Sequence, residues 1–201
     1  MHGHAAKKMH IFFYNSDNTI ARKLQMFNAI LRAKIMYGLE TAVLTTAELN
    51  KLDVFQLRCL RKILKLPTTY INRTYTNDYI RTQLNKYFHD YARSRSTSFK
   101  AVEPLSVYHK RARINSLVKL IRNRETEPGA SVTFDPLTLQ EVQHGKKRVG
   151  RPKLNWYQVT VQELWTIARK HTASTRFSAA FNPLNKTHRD ALIKYCEDVD
   201  K

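Results

Sequence analysis

TTAELNKLDVFQLRCLRKILKLP, residues 45–67, is the stretch of this sequence that specifies a fold most clearly. Thr45 followed by Glu48 has the spacing of a capping box, in which the two side chains bind backbone amides at the start of a helix. Apolar residues then recur every three or four positions, as on one side of an α-helix, until Pro67 interrupts the pattern. We therefore predict a helix whose buried side consists of Leu49, Leu52, Phe55, Cys59, Ile63 and Leu66.

Four cations lie on the other side of this predicted helix. At 100° per residue they fall within about a third of its circumference and face away from the apolar side. A helix of this kind can bury one side in the protein and offer the other side to phosphate groups. We predict that the following residues of the helix bind nucleic acid: Arg58, Arg61, Lys62 and Lys65.

Other apolar patterns predict further helices. Residues 20–35 have an apolar residue at every third or fourth position, and Gly38 is suited to end that helix. Amphipathic helices are also predicted over 108–123, over 156–168, which includes both tryptophans, and over 186–195. The fold class that we expect is mainly α: a small helical bundle, followed by a basic loop and a Trp-containing helix.

Breaks in these patterns divide the chain into four segments. Pro and Gly residues interrupt it after the helix over 108–123, and within that interruption we predict a short strand at 132–134. The segments that we predict are an irregular amino-terminal segment (1–15), a helical nucleic-acid-binding region (16–125), a basic Pro/Gly loop connector (126–155) and a carboxyl-terminal helical segment with a loose tail (156–201).

The chain is strongly basic throughout. Its 201 residues include 35 Lys and Arg against 16 Asp and Glu, which gives a formal net charge of +19 and a pI near 10.1. The first 100 residues hold 17 basic and 6 acidic residues, and the remainder hold 18 and 10, so the charge is not confined to one tail. A protein of this charge attracts polyanions, and the partner that we expect is nucleic acid, whether RNA, DNA or a hybrid of the two.

A second concentration of cations occurs in GKKRVGRPK, residues 145–153, which contains five cations together with the helix-breaking residues Gly and Pro. We expect an extended basic loop there that contacts phosphates. The helix predicted over 108–123 also has cations near its start, and we expect two of them to bind. The expected nucleic-acid ligands from these two segments are Arg111, Arg113, Lys146, Lys147, Arg148, Arg151 and Lys153.

Residues 70–105 interleave Tyr and Phe with Arg and Lys. Aromatic rings stack on unpaired bases and cations follow the backbone, so this mixture suits a single strand or a strand junction. The alternative is that the Tyr rings are half-buried in one or two helices with their hydroxyl groups at the surface, and the sequence leaves both open. We expect Trp156 and Trp165 to anchor their helix on its core.

Residue patterns typical of enzymes are missing from the sequence. No two Asp are adjacent, as in the metal-binding hairpin of a reverse-transcribing polymerase, and no Gly-rich phosphate loop, Gly-x-Ser-x-Gly or His-Glu-x-x-His motif occurs. Cys59 and Cys196 are too few for a disulfide framework or a thiolate zinc site, and no run of 18 apolar residues suggests a membrane span. We expect no enzyme activity from this chain alone, no metal and no cofactor.

Three blocks of the sequence resemble, in order and spacing, the region downstream of the polymerase palm in non-LTR (LINE-like) retrotransposon reverse transcriptases. IMYGLET at 35–41 is similar to that family's Tyr-Gly-x-Glu-Thr block, and QLRCLRKIL at 56–64 is similar to the helix that follows it. RVGRPKLNW at 148–156 is similar to its Arg-x-Gly-Arg-Pro-x-x-x-Trp block. The resemblance covers residues 20–170.

The resemblance implies a thumb-like helical region, which in such enzymes grips the duplex of template and primer behind the active site, and a basic connector. The cations predicted on the helix over 45–67 would face the phosphates, and residues 146–153 would form the connector. The sequence lacks the family's other parts, which are the fingers, the palm, the endonuclease and the Cys/His knuckle, although it begins with Met. We therefore expect either a fragment of such a retrotransposon or a piece of it that has acquired a new role. The partner would be a larger polymerase, and the location nuclear.

Two other functions fit the composition. VGRP at 149–152 is similar to an AT-hook, an element that tethers proteins to the DNA minor groove, although the hook has Arg in place of Val149. The second of these functions is that of a basic structural subunit in a ribonucleoprotein, such as an organellar ribosome. Because the first 39 residues contain a single acid, Asp17, as mitochondrial transit peptides do, a mitochondrial location is the alternative to a nuclear one.

Overall fold

The computed structural model describes residues 13–95, 102–142, 155–171 and 180–199 of the chain. Within these residues the fold is mainly α, as predicted, and the β structure is limited to an isolated bridge between Phe134 and Glu141. None of the helices in these ranges combines the length and the apolar character of a membrane span. The predicted basic loop at 146–153 lies outside the described residues.

Helices make up most of the described residues. Helices are present at all of the predicted positions, and the aromatic-rich region adds another, α4. In chain order the elements are α1 (Ile20–Met26), a π-helical turn (Phe27–Arg32), α2 (Ala33–Met36), a short 3-10 helix (Leu39–Thr41), α3 (Thr46–Leu64), α4 (Asn77–Arg95), α5 (Leu105–Arg122), α6 (Pro128–Thr133), α7 (Trp156–His171) and α8 (Lys186–Asp198).

The ends of α3 are set by local sequence. The capping box is present: the Thr45 amide donates to Oε2 of Glu48 at 2.8 Å, and the Glu48 amide donates to Oγ1 of Thr45 at 3.3 Å. The bond from the Thr45 amide, together with a second from the Thr45 hydroxyl to the same oxygen at 2.8 Å, lowers the pKa of the Glu48 carboxyl. At the other end Lys65 adopts a left-handed conformation (φ 55°), and the next amide, of Leu66, donates to the carbonyl of Arg61 at 3.0 Å. This Schellman-type arrangement ends the helix before Pro67.

The chain divides into two compact units, and unit 1 comprises Met1–Tyr37 and Leu44–His109. In unit 1, Leu57 and Leu60 are buried together with Cys59 and Ile63, whereas the other four residues of the predicted stripe are only partly buried, so the buried side of α3 is displaced from the prediction. Gly38 takes a positive φ of 73° just after α2, which confirms the predicted end of the first helical segment. The core of unit 1 consists of Phe13, Leu24, Phe27, Leu31, Leu57, Cys59, Leu60, Ile63, Ile80, Leu84 and Phe88.

Unit 2 comprises Gly38–Val43 and Lys110–Lys201. Its core contains the fully buried Trp165 of α7, whose ring stacks on His188 of α8 with centroids 4.7 Å apart. Tyr157 donates its hydroxyl hydrogen to the carbonyl of Leu139 at 2.6 Å. The core as a whole consists of Ile114, Leu117, Val118, Ile121, Ala130, Phe134, Leu139, Tyr157, Val161, Leu164, Trp165, Ala168, Phe181, Leu192 and Cys196.

Three boundaries differ from the sequence prediction. Phe13 is buried in the core of unit 1 although residues 1–15 were predicted to be irregular. The predicted region 16–125 is divided between the two units, because Gly38–Val43 and the residues after His109 belong to unit 2. The predicted strand at 132–134 is wrong, since α6 occupies most of it, and the first part of the predicted connector supplies Ala130, Phe134 and Leu139 to the unit 2 core. Burial against distant helices therefore overrides the loop-like Pro and Gly content of this segment.

Candidate nucleic-acid interface

Exposed cations lie along the solvent side of α3. Lys51, Arg58 and Lys62 fall within about 40° of one another around the helix axis and extend over about 16 Å of its length. Lys65 follows at the end of the helix and is also exposed. The sequence prediction omitted Lys51, although its position seven residues before Arg58 places it on the same side. We call these four residues, Lys51, Arg58, Lys62 and Lys65, the α3 cation stripe.

Both acids of α3 accept hydrogen bonds from residues outside the α3 cation stripe, although Glu48 also interacts electrostatically with Lys51. Glu48 is held in the capping box, and Asp53 projects toward the start of α5, where it accepts hydrogen bonds from the amide (2.9 Å) and the hydroxyl (2.6 Å) of Ser106. Within the described part of unit 1 the ion pairs join Arg81 to Asp78 and His89 to Asp90, and neither pair involves α3. The positive charge of the stripe is therefore available to an anionic ligand.

A buried amine adds to the positive potential near the stripe. Lys23 of α1 is only 3% exposed. Burial lowers the pKa of its amine, and repulsion by the charge of Lys65 lowers it further. By sequence, unit 1 holds 17 basic and 6 acidic residues, a net charge of +11, so the field around α3 is strongly positive.

Arg61 does not belong to the stripe, which corrects the sequence prediction. Its guanidinium turns toward the segment between α3 and α4, where Nη2 donates to the carbonyl of Tyr75 at 2.9 Å and to Oδ1 of Asn77 at 3.1 Å. Burial lowers the pKa of Arg61, and its Nε is buried without a hydrogen-bond partner among the described residues. The role of Arg61 in the structure is to fix this connecting segment.

Replacing Arg61 with Ala is expected to lower the free energy of unfolding by about 1–2 kcal/mol, because its charge-assisted hydrogen bonds to Tyr75 and Asn77 are lost. The matched variant Arg58→Ala removes an exposed guanidinium from the same helix. It should change the free energy of unfolding by less than about 0.5 kcal/mol. Urea denaturation followed by far-ultraviolet circular dichroism measures both. Equal losses in the two variants would contradict these different roles.

The predicted cations of α5 have different environments. Arg111 is exposed. Arg113 is only 5% exposed, and its Nη2 donates to Oε2 of Glu163 in α7. The prediction that Arg113 offers its charge to phosphates is therefore wrong, because a buried carboxylate-bound guanidinium stabilises unit 2 instead. The remaining predicted ligands, Lys146, Lys147, Arg148, Arg151 and Lys153, lie outside the described residues.

The aromatic residues between 70 and 105 do not share one environment. Phe88 belongs to the unit 1 core, and Tyr75 packs against Tyr79 with ring centroids 5.4 Å apart. Tyr70, by contrast, is 98% exposed, and Tyr87 is 46% exposed. The alternative of rings packed in a helix therefore applies to part of the set, and base stacking stays a prediction for the exposed rings of Tyr70 and Tyr87.

Both tryptophans anchor unit 2, as predicted. Trp165 is 1% exposed, and Trp156 packs partly buried against the same core. The indole N–H of Trp156 also donates to the carbonyl of Glu40 at 2.7 Å. This hydrogen bond joins the first and third of the three blocks noted in the sequence, at 35–41 and 148–156.

Both cysteines of the chain are buried and unpaired with each other. Burial raises the pKa of the Cys59 thiol to about 11 and that of the Cys196 thiol to about 12, so both thiols are neutral and unreactive at physiological pH. No group of three His, Cys, Asp or Glu suited to hold a metal ion occurs among these residues. What the α3 cation stripe can do is attract and position phosphates.

Comparisons with protein-family models, with curated proteins and with solved structures gave no match to this chain.

Proposed function

We propose that unit 1 binds the sugar-phosphate backbone of nucleic acid through the α3 cation stripe, with little sequence preference. The observation that carries this proposal is the set of four exposed cations on one side of α3, of which Arg58, Lys62 and Lys65 have no acidic partner among the described residues. Phosphate contacts fix the register of a protein on nucleic acid but do not identify bases, so a surface of Lys and Arg alone binds without reading sequence.

The dimensions of the stripe suit a phosphate backbone. Lys51 and Lys62 are about 16 Å apart along the helix axis. One strand of a duplex carries a phosphate for about every 3.4 Å of its axis, so this length corresponds to about five phosphates. The burial of the opposite side of α3, including Leu60 at 0% exposure, holds the stripe in a fixed orientation. Binding therefore needs little ordering of the helix itself.

We also propose that this surface derives from the thumb-like region of a non-LTR retrotransposon reverse transcriptase and that its ligand is a duplex of template and primer. Support comes from the three ordered blocks, of which QLRCLRKIL at 56–64 lies within α3 and contains Arg58 and Lys62 of the stripe. The contact between Trp156 and Glu40 adds support, because it brings two of the blocks together.

A salt titration tests the proposed backbone binding. The affinity of the full chain for a labelled RNA–DNA hybrid should fall steeply with salt, because each phosphate contact releases counterions. The stripe variant combines three substitutions, Arg58→Gln, Lys62→Gln and Lys65→Gln. It should bind more weakly than the native chain, and the slope of log affinity against log salt should decrease in magnitude by about one unit for each side chain removed.

The control is a variant with the same loss of charge in unit 2. Lys119→Gln, Lys170→Gln and Lys186→Gln together remove three exposed cations and leave the same formal net charge as the stripe variant. This control should retain the native salt slope. A slope near zero for the native chain, or the same decrease in both variants, would contradict the proposal that the stripe is the binding surface.

A further inference from the structure

We propose that Tyr70, in the segment between α3 and α4, stacks on unpaired bases where a single strand leaves a duplex. This inference rests on the proposed function, because it requires a duplex bound at the α3 cation stripe. It adds a preferred substrate: a duplex with a single-stranded overhang, bound more tightly than a blunt duplex.

The exposure of this segment is the first observation. Tyr70 is 98% exposed and the adjacent Ile71 is 74% exposed, so neither side chain contributes to the unit 1 core. The two side chains form an apolar tip on a strongly basic unit. An aromatic ring in this setting has a free face on which a base can stack.

The backbone that carries Tyr70 is held in place by hydrogen bonds on both sides. The carbonyl of Thr68 accepts from the amides of Ile71 (3.0 Å) and Asn72 (3.1 Å). The side-chain Oδ1 of Asn72 then accepts from the Thr74 amide at 2.9 Å. Arg61 fixes the end of the segment through its bond to the carbonyl of Tyr75. The ring is thus presented on an ordered turn, which lowers the entropic cost of stacking.

The position of Tyr70 relative to the stripe indicates the kind of ligand. It follows Lys65 by five residues, which span at most about 17 Å of extended chain. Arg73, three residues later, is also exposed. An aromatic ring between cations fits a ligand that is both aromatic and anionic. Unpaired bases on a phosphate backbone meet both requirements, because the ring stacks on the base while the cations contact the phosphates.

The test compares two hybrids that share one duplex, one of them blunt and one with a short single-stranded overhang. The native chain should bind the overhang form roughly tenfold more tightly, as expected for one stacked base. Tyr70→Ala should abolish this preference but leave the affinity and salt slope on the blunt hybrid unchanged. Tyr70→Phe should keep the preference, because the ring is retained. A 2-aminopurine at the first unpaired position should be quenched by the native chain and by Tyr70→Phe but not by Tyr70→Ala.

Tyr37→Ala serves as the control, since this tyrosine is 90% exposed in unit 1 but lies outside the α3–α4 segment. It should behave as the native chain does. The stacking role would be overturned if binding were salt-dependent but showed no overhang preference, or if Tyr70→Ala kept the preference. Backbone binding at the stripe would still stand in either case, and the exposed tip would then serve another kind of partner. A native chain that binds neither hybrid in a salt-dependent manner would overturn the proposed function as well.

Discussion

Trp165→Ala is expected to lower the free energy of unfolding by about 3–5 kcal/mol, because it empties the centre of the unit 2 core. The indole is 1% exposed, stacks on His188 and packs against Phe181 with ring centroids 5.6 Å apart. A loss of this size is a large fraction of the stability of an ordinary domain. Urea denaturation followed by far-ultraviolet circular dichroism gives the free energy directly.

Val132→Ala is the matched control for this substitution. Val132 also belongs to unit 2 but is 59% exposed on α6, so its truncation should change the free energy of unfolding by less than about 0.5 kcal/mol. A loss below about 1 kcal/mol for Trp165→Ala would show that unit 2 is not built around this ring.

Glu163→Ala should lower the free energy of unfolding by about 3 kcal/mol, because it leaves the buried guanidinium of Arg113 without its carboxylate. Arg113 Nε already has no partner among the described residues, so loss of the carboxylate leaves the buried guanidinium with a further unsatisfied nitrogen. The carboxylate also lies 3.6 Å from Nζ of Lys110, whose side chain is 57% exposed. Thermal or urea denaturation of the full chain measures the loss.

Two further variants separate the effect of the buried charge from that of general truncation. Lys110→Ala should cost less than about 1 kcal/mol, since solvent screens an exposed pair. Combining Arg113→Leu with Glu163→Leu should restore part of the stability lost in Glu163→Ala, because no buried charge then remains. If the double variant were no more stable than Glu163→Ala, an unpaired Arg113 could not be the cause of the loss.

Helix positions in this chain were predictable because they depend on residues that are close in sequence. The capping box needs only Thr45 and Glu48, and the end of the first helical segment needs only a glycine that tolerates a positive φ. The π-helical turn Phe27–Arg32 was not predicted. Helix α6 was missed because a six-residue helix that begins with Pro-Gly has weak local propensity and is stabilised by burial of residues such as Ala130.

The membership of the candidate interface was only partly predictable. Helical periodicity assigned Arg58, Lys62 and Lys65 to the interface. Lys51 lies seven residues before Arg58, so the same periodicity would have added it if it had been applied to the earlier turns of the helix. Arg61 could not be excluded in this way, because its partners Tyr75 and Asn77 lie beyond the end of the helix. Helical angle alone placed it at the edge of the cation side, where either orientation was open.

Net charge, helix periodicity and helix caps follow from the order of the residues, because each depends on composition or on contacts within a few positions. The tertiary structure alone decided which cations remain available to a ligand. Arg113 pairs with a carboxylate 50 residues away, and Asp53 turns from the α3 cation stripe to a serine 53 residues away. The physical reason is that a charge in a protein interior needs a partner of opposite charge or a hydrogen bond, and only the folded chain brings such partners together.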